Sequence, residues 1–476
     1  MLRPPQKPLV AIIGATGTGK SELAVEIARR FNGEIINGDA MQLYHGLPVI
    51  TNKIPEVEQK GIPHHLLGCI GLEQETWTVG KFVDKALGVI EEIRSRNQLP
   101  VLVGGTHYYT QSLLFHDILA DDTALSSSNN QHFPILDEPT DVILTKLQEV
   151  DPIMAERWHP TDRQKIRRSL ELFLKTGKPA SKIYEEQAIR RQAVVDADNP
   201  ADDGEREGKS GGLTMTMRFP ALIFWIHASR EALCKRLDGR ILKMLENGLL
   251  EEVSTLSIFR EGQEAKGFAV DQTRGIWVSI GYKEFLAYRT ALASGAADAQ
   301  ELARLKEAAV AHTQAATRQY ANRQVKWIRI KLMNALAGAG QTTNIFLLDG
   351  TDLAIWDERV ISPAMGITEK FLNGDSLPPP VDVSDIATEL LKPKSEDLSQ
   401  RRDLWGKKTC EVCGIVGTTV NDWEQHIKSR AHRRAVAIKE KKKVKEQMRE
   451  RGLKMDAQKE VIDVLENHLD LFAEEQ

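Results

Sequence analysis

The stretch "PLVAIIGATGTGKSELAVEIARRF", residues 8–31, constrains the fold more than any other part of the chain. It opens on a short apolar, β-branched run that ends in Gly14. Leu23, Ala24, Ile27, Ala28 and Phe31 then recur at helical spacing. Between strand and helix, Gly14–Ser21 matches G-x4-G-K-[ST]. Glycines let backbone N–H groups approach phosphate oxygens, Lys20 neutralises charge, the Ser21 hydroxyl can hold Mg²⁺, and the helix N-terminus adds a favourable dipole. Gly14, Ala15, Thr16, Gly17, Thr18, Gly19, Lys20 and Ser21 are therefore the expected diphosphate ligands. The same grammar continues in "GEIINGD" and "LPVLVGG", two buried-type strands separated by the helical "VGKFVDKALGVIEEIRSRN", and again in "ALIFWIHASREALCKRL" and "NIFLLDG". This pattern predicts an α/β fold: a P-loop type parallel sheet flanked by helices.

The loop alone does not say which diphosphate it holds. An ATPase places an acid at the end of a buried strand to position Mg²⁺ and water, but "VLVGGTHYY" ends in Gly104 and Gly105. "TNK" at 51–53 lacks the following x-D of guanine recognition. Instead Asp39 stands at the C-terminal end of "EIIN", the sheet edge that faces the ligand crevice in open α/β folds. Its other reading is a cap for the next helix. At this point a small-molecule kinase using ATP remains open, as does an idle RNA-binding protein.

At 476 residues the chain exceeds one ordinary domain. The spacing of the elements predicts a core in two parts, 8–120 and 219–360. A mainly helical insertion over 121–218 separates them and includes an acidic, glycine-rich loop near 190–212, expected to be disordered. A Pro-rich linker is expected over 361–400, a small metal module over 401–440 and a charged helical tail over 441–476. No apolar run approaches membrane-spanning length, so no membrane partner is expected. The net charge of −4 averages an acidic insert with a basic tail and says nothing global about nucleic acid. Four cysteines, two of them isolated, do not look like a disulfide framework and fit a reducing compartment. The N-terminal "MLRPPQKPLV" lacks the apolar core of a secretory signal. A cytoplasmic monomer is the expectation, with mitochondrial and nuclear pools.

"GATGTGKS", "INGDAMQLYHGLPVITNK", "VGGTHYYTQSL", "TDRQKIRRSLE", "RILKMLENGLLEEV", "SIGYKEF" and "TRQYANRQVKWIR", taken in order, resemble the tRNA dimethylallyltransferases, or tRNA isopentenyltransferases. The eukaryotic branch is the nearer, because His107 and Tyr108 follow "GGT". The resemblance implies transfer of a dimethylallyl group from dimethylallyl diphosphate to N6 of adenosine 37, beside the anticodon of a tRNA. It makes Asp39 the base that takes a proton from N6, with Arg240 and Thr16 at the reacting centre. It assigns Mg²⁺ to Ser21. Asp39, Ala40, Met41, Gln42 and Thr106 are then tRNA contacts at the channel. Gln164, Lys165, Ile166, Arg167 and Arg168 in the insertion, and Arg318, Arg323 and Lys326 near the end of the core, complete the expected grip on the anticodon stem-loop. Without the resemblance, such basic helices read as solvated faces.

Near the C-terminus, "CEVCGIVGTTVNDWEQHIKSRAH" places Cys410, Cys413, His426 and His432 at C-x2-C-x12-H-x5-H spacing. Two thiolates and two imidazoles at this spacing close a tetrahedral structural Zn²⁺ site. Val412, Val420, Trp423 and Ile427 are the expected small core. The long His-x5-His spacing resembles the RNA-associated subclass of C2H2 fingers, and the basic run that follows suits phosphate backbones.

Overall fold

A computed structural model describes residues 3–116, 133–186, 216–268, 270–392, 405–447, 449 and 451. Six strands form one parallel sheet: β1 (Leu9–Gly14), β2 (Gly33–Asn37), β3 (His64–His65), β4 (Leu99–Val103), β5 (Ala221–His227) and β6 (Ile345–Asp349), in the order β3-β2-β4-β1-β5-β6. In register, Val10 of β1 lies beside Val101 on one side and Leu222 on the other. Alternate strand residues face opposite ways, and both faces are covered. Val10, Ile12, Leu222, Phe224, Phe346 and Leu348 pack with Leu23, Ala24 and Ile27 of helix α1 (Lys20–Arg30). Ala11, Ile13, Ile223, Trp225 and Leu347 pack with Phe82, Ala86, Ile90 and Ile93 of α2 (Val79–Ser95). Burial on both faces is why the strands read as continuous apolar runs.

The longer of the remaining helices of this unit are α3 (His107–Leu114), α7 (Arg230–Glu246), α8 (Leu249–Ala265), α9 (Tyr282–Ser294), α10 (Ala299–Trp327) and α11 (Ser362–Asn373). Before α7 come, among the described residues of the insertion, α4 (Thr140–Val150), α5 (Pro152–Arg157) and α6 (Arg163–Thr176). The 29-residue α10 is capped by Asp298, whose carboxylate accepts the Glu301 N–H at 2.8 Å. It buries the stripe Ala309, Thr313, Thr317, Ala321 and Gln324, and continues through a π-helical segment, Ile328–Leu332.

The chain divides into two compact units, one of residues 1–122 and 186–397, the other of 123–185 and 398–476. Three expectations change here. The linker expected over 361–400 is folded through 392. In α11, Ala364, Ile367 and Phe371 join the sheet core; Ser384 donates to the Leu347 carbonyl at 3.0 Å; Ala387, Leu390 and Leu391 are buried. Prolines and acids gave this segment the composition of a linker, yet its spaced apolar residues cover part of a sheet that would otherwise face water. The insertion and the finger, expected as separate domains, form one unit. Its finger half comprises the antiparallel β7 (Trp405–Thr409) and β8 (Val416–Thr419), then α12 (Val420–Lys428) and a helix over 430–447. Within that unit Lys407 of β7 donates to the Ala155 carbonyl of α5 at 2.9 Å. Residues 216–218, assigned to the insertion, belong instead to the first unit, where Met217 bridges Phe115. The acidic loop near 190–212 lies outside the described residues, as does the tail beyond 451.

Candidate active site

The C-terminal edge of the sheet gathers the ends of β1, β2 and β4. From β1 the chain enters the phosphate loop, where Gly17 and Gly19 have φ of 82° and 88°, left-handed values that favour glycine. Contact sharpens the requirement at Gly19: a Cβ there would stand 2.4 Å from the Trp356 ring. Thr18 is buried and donates to the Ala15 carbonyl at 2.9 Å; the Lys20 ammonium donates to that same oxygen at 2.7 Å. Ser21 is exposed on the first turn of α1.

Asp39 follows β2. Its Oδ1 accepts the Met41 N–H at 3.0 Å and shapes the turn, so part of the capping role read from the sequence is realised. A Cβ on Gly105 would stand 3.0 Å from the other oxygen, Oδ2. The double glycine that replaced an expected acid also has a packing reason. A Cβ at Gly104 would stand 2.3 Å from the Gly38 carbonyl carbon and oxygen, so β2 and β4 can converge only without one. Asn37 ties the same corner: its Oδ1 accepts the Asp39 N–H at 3.0 Å and its Nδ2 donates to the Leu66 carbonyl at 2.9 Å.

Arg240 of α7 donates to Thr16 Oγ1 at 3.0 Å, so the two residues expected at the reacting centre meet there. Lys20, Asp39 and Arg240 interact electrostatically. Burial depresses the Lys20 ammonium to about 8, with the Asp39 charge acting the other way and Arg240 adding to the fall. Burial raises the Asp39 carboxyl above its ordinary range, against the opposing pull of the Met41 N–H, Lys20 and other groups. Burial likewise lowers Arg240, which Asp39 partly offsets. A cationic cradle therefore stands beside a carboxylate with enhanced proton affinity, in a half-buried corner.

Around this core, Thr106 Oγ1 accepts the Ala40 N–H at 3.0 Å, which joins two expected channel residues. Gln42 lies at the mouth and donates to the Asn52 carbonyl at 3.0 Å. Sequence reasoning gave no role to four residues the fold brings in. Gln324 bonds Thr16 and Gly105; Tyr320 bonds Thr106 and is raised by burial and by Asp39; Trp356 lies on Gly19. The fourth, His107, is buried with both ring nitrogens unpartnered, and its pKa falls to about 3 through burial and the Lys20 charge. An uncharged amide on the buried stripe of α10 was the one signal that could have found Gln324.

The outer tRNA candidates divide. Arg323 and Lys326 are exposed near the end of α10, whereas Arg318 is ion-paired with Asp238 of α7. On α6, Gln164 and Lys165 are exposed, and Lys165 pairs with Asp162 at 2.7 Å. Arg167 donates to the Leu136 carbonyl at 3.3 Å; Arg168 pairs with Glu171 at 3.4 Å. Ile166 is a correction. It is fully buried, because the helical period that turns its charged neighbours outward turns position 166 into the core.

In the finger, the four expected ligand atoms lie within 4.8 Å of one another. Cys413 Sγ is 3.1 Å from His426 Nε2, and Cys410 Sγ is 3.6 Å from His432 Nδ1. Sulfur–nitrogen separations near 3.5 Å are what a tetrahedron with Zn–S of about 2.3 Å and Zn–N of about 2.0 Å requires, so the donor set fits Zn²⁺. Val420 and Ile427, expected in the finger core, stay 44% and 43% exposed; a metal held by the four clustered side chains would supply the cross-link that a larger core otherwise provides.

Comparison with known proteins agrees with this arrangement. The IPP transferase family matches residues 42–331 and the isopentenyl transferase family residues 7–65. The tRNA dimethylallyltransferase of Schizosaccharomyces pombe is 37% identical, with 92% of this chain and 96% of the relative covered. That of Saccharomyces cerevisiae is 33% identical, with 90% and 91% covered. A crystal structure of a eukaryotic dimethylallyltransferase acting on tRNA superimposes with a TM-score of 0.70 at 32% identity, covering 93% of this chain and all of that one. With the phosphate loop, its facing carboxylate and the Cys2His2 group in place, the chain belongs to the tRNA dimethylallyltransferase family.

Proposed function

We propose that this protein transfers a dimethylallyl group from dimethylallyl diphosphate to N6 of adenosine 37 in tRNA, with Asp39 as the base. The observation that carries this reading is the meeting of Asp39 with Lys20, Arg240 and Thr16 at one sheet edge. N6 is a poor nucleophile because its lone pair is delocalised into the ring, so a proton must leave as the C–N bond forms. Asp39 accepts that proton. The allylic C–O bond breaks as the C–N bond forms, and its electron pair leaves on pyrophosphate. Lys20, Arg240 and the loop amides face that growing charge. Mg²⁺ on the Ser21 hydroxyl would add further neutralisation of the diphosphate when bound. The target base swings out of the anticodon stack at a cost of a few kcal/mol. Gln42 and Thr106 near Asp39, and the exposed Arg323, Lys326, Gln164 and Lys165, support the reading as candidates to meet the RNA. The small-molecule kinase that the loop alone allowed finds no support among the relatives.

Incubation of the enzyme with labelled dimethylallyl diphosphate and unmodified tRNA, followed by nucleoside analysis, tests the reaction; label on any nucleoside other than N6-isopentenyladenosine overturns it. Asp39→Asn should abolish transfer and leave tRNA affinity within a few-fold, and retained turnover would remove Asp39 from the base role. We further propose a monomer, to be checked by light scattering, and a cytoplasmic pool with mitochondrial and nuclear fractions, to be checked by imaging of a fluorescent fusion. Among the described residues no helix is long and apolar enough to cross a membrane.

A further inference from the structure

Gln324 occupies an unusual place. It is 4% exposed and ends the buried stripe of α10, and its side-chain amide makes two long-range bonds to backbone. Its Oε1 accepts the Thr16 N–H at 2.8 Å, and its Nε2 donates to the Gly105 carbonyl at 2.8 Å. One partner can only donate and the other can only accept, so the orientation of the amide is unambiguous. The two partners lie on opposite sides of the reaction corner: Thr16 in the phosphate loop, Gly105 in the turn after β4. A Cβ at Gly105 would stand 2.7 Å from Gln324 Nε2 and 3.0 Å from Asp39 Oδ2, so amide and carboxylate converge on one spot. The Thr16 N–H, which a phosphate loop could offer to its anion, is already engaged; the cradle is left to the amides from Gly17 onward.

We propose that Gln324 is a positioning residue of the transfer reaction. Its carboxamide braces the phosphate loop against the β4 turn and so sets the gap between the leaving group and Asp39; the proposal rests on Asp39 being the base. Both braced groups carry partners with assigned roles. Thr16 also holds Arg240 through its hydroxyl, and Thr106, next to Gly105, holds the Ala40 N–H beside Asp39. Reacting atoms misplaced by about 1 Å cost on the order of 100-fold in rate. A brace of this kind therefore acts on the chemical step more than on tRNA binding.

Two variants test the idea, assayed in the full chain with dimethylallyl diphosphate and a tRNA anticodon stem-loop. Gln324→Met keeps the length of the side chain and removes both bonds. It should lower the single-turnover transfer rate by on the order of 100-fold while tRNA affinity stays within a few-fold of the unaltered enzyme. Gln324→Glu places an oxygen against the Gly105 carbonyl and a negative charge beside Asp39. A like charge raises a carboxyl pKa, so the acid limb of the rate profile should move up by about one pH unit or more. A residue that only stabilises the fold would lower the melting temperature of Gln324→Met and leave its single-turnover rate near that of the unaltered enzyme. Transfer by Gln324→Met at the rate of the unaltered enzyme, or an unmoved acid limb in Gln324→Glu, overturns the proposal. Failure of the underlying reading is seen separately, as retained transfer in Asp39→Asn.

Discussion

At the scale of single residues, charge in a half-buried corner dominates. Lys20 titrates near 8 because burial penalises its ammonium, and Asp39 is raised for the same reason in the opposite chemical sense. The two shifts set opposite limbs of a pH profile. As pH falls, Asp39 gains a proton and loses its power to accept one from N6, so the acid limb should lie above the ordinary carboxylate range. As pH rises through about 8, Lys20 loses the charge that attracts diphosphate, so an alkaline limb should appear there. Both should show in kcat/KM, which reports the free enzyme. Lys20→Arg should carry the alkaline limb out of the measured range, and a limb that stays near 8 would assign it to another group. Asp39 and Lys20 were legible in the sequence because each stands at a strand end in a recognisable pattern. Gln324 was not, since its partners lie 308 and 219 residues away.

At the scale of elements, two devices hold the site in shape. The convergence of β2 and β4 depends on Gly104, whose missing side chain lets the Gly38 backbone approach. Gly104→Ala should destabilise the first unit by about 1–3 kcal/mol, the usual cost of overpacking, read as a lower urea midpoint. An unchanged midpoint would mean that the strand ends relax apart at no cost. The finger, with little apolar core, has its Cys2His2 cluster instead. Chelation, or Cys410→Ala, should unfold β7, β8 and α12, weaken tRNA binding and leave the rate at saturating tRNA near that of the intact enzyme. Strands, principal helices and ligand spacing were all readable, because period-2 and period-3.6 patterns and Cys/His spacing are local. The segment over 361–392 misled, since its composition is that of a linker and its burial is imposed by the sheet face it covers.

At the scale of the whole molecule, two compact units with different duties are joined in one chain, and each is interrupted in sequence by the other. The first carries the reaction corner; the second carries the insertion helices, the finger and the basic helix over 430–447. Changing Lys441, Lys442 and Lys443 together to Gln should reduce the magnitude of the slope of log tRNA affinity against log salt by about 2. It should leave transfer at saturating tRNA unaltered; an unchanged slope would remove this helix from the RNA interface. The sequence by itself determined the parallel sheet, the phosphate-loop turn, the carboxylate at the end of β2 and the Cys2His2 cluster, because each is written in residues close together along the chain. Only the tertiary structure decided that insertion and finger share a unit, that the segment over 361–392 covers the sheet, and that Gln324 bonds both Thr16 and Gly105. Those outcomes depend on which distant surfaces exclude water together and which buried polar groups must find partners, and neither is encoded in any short window of sequence.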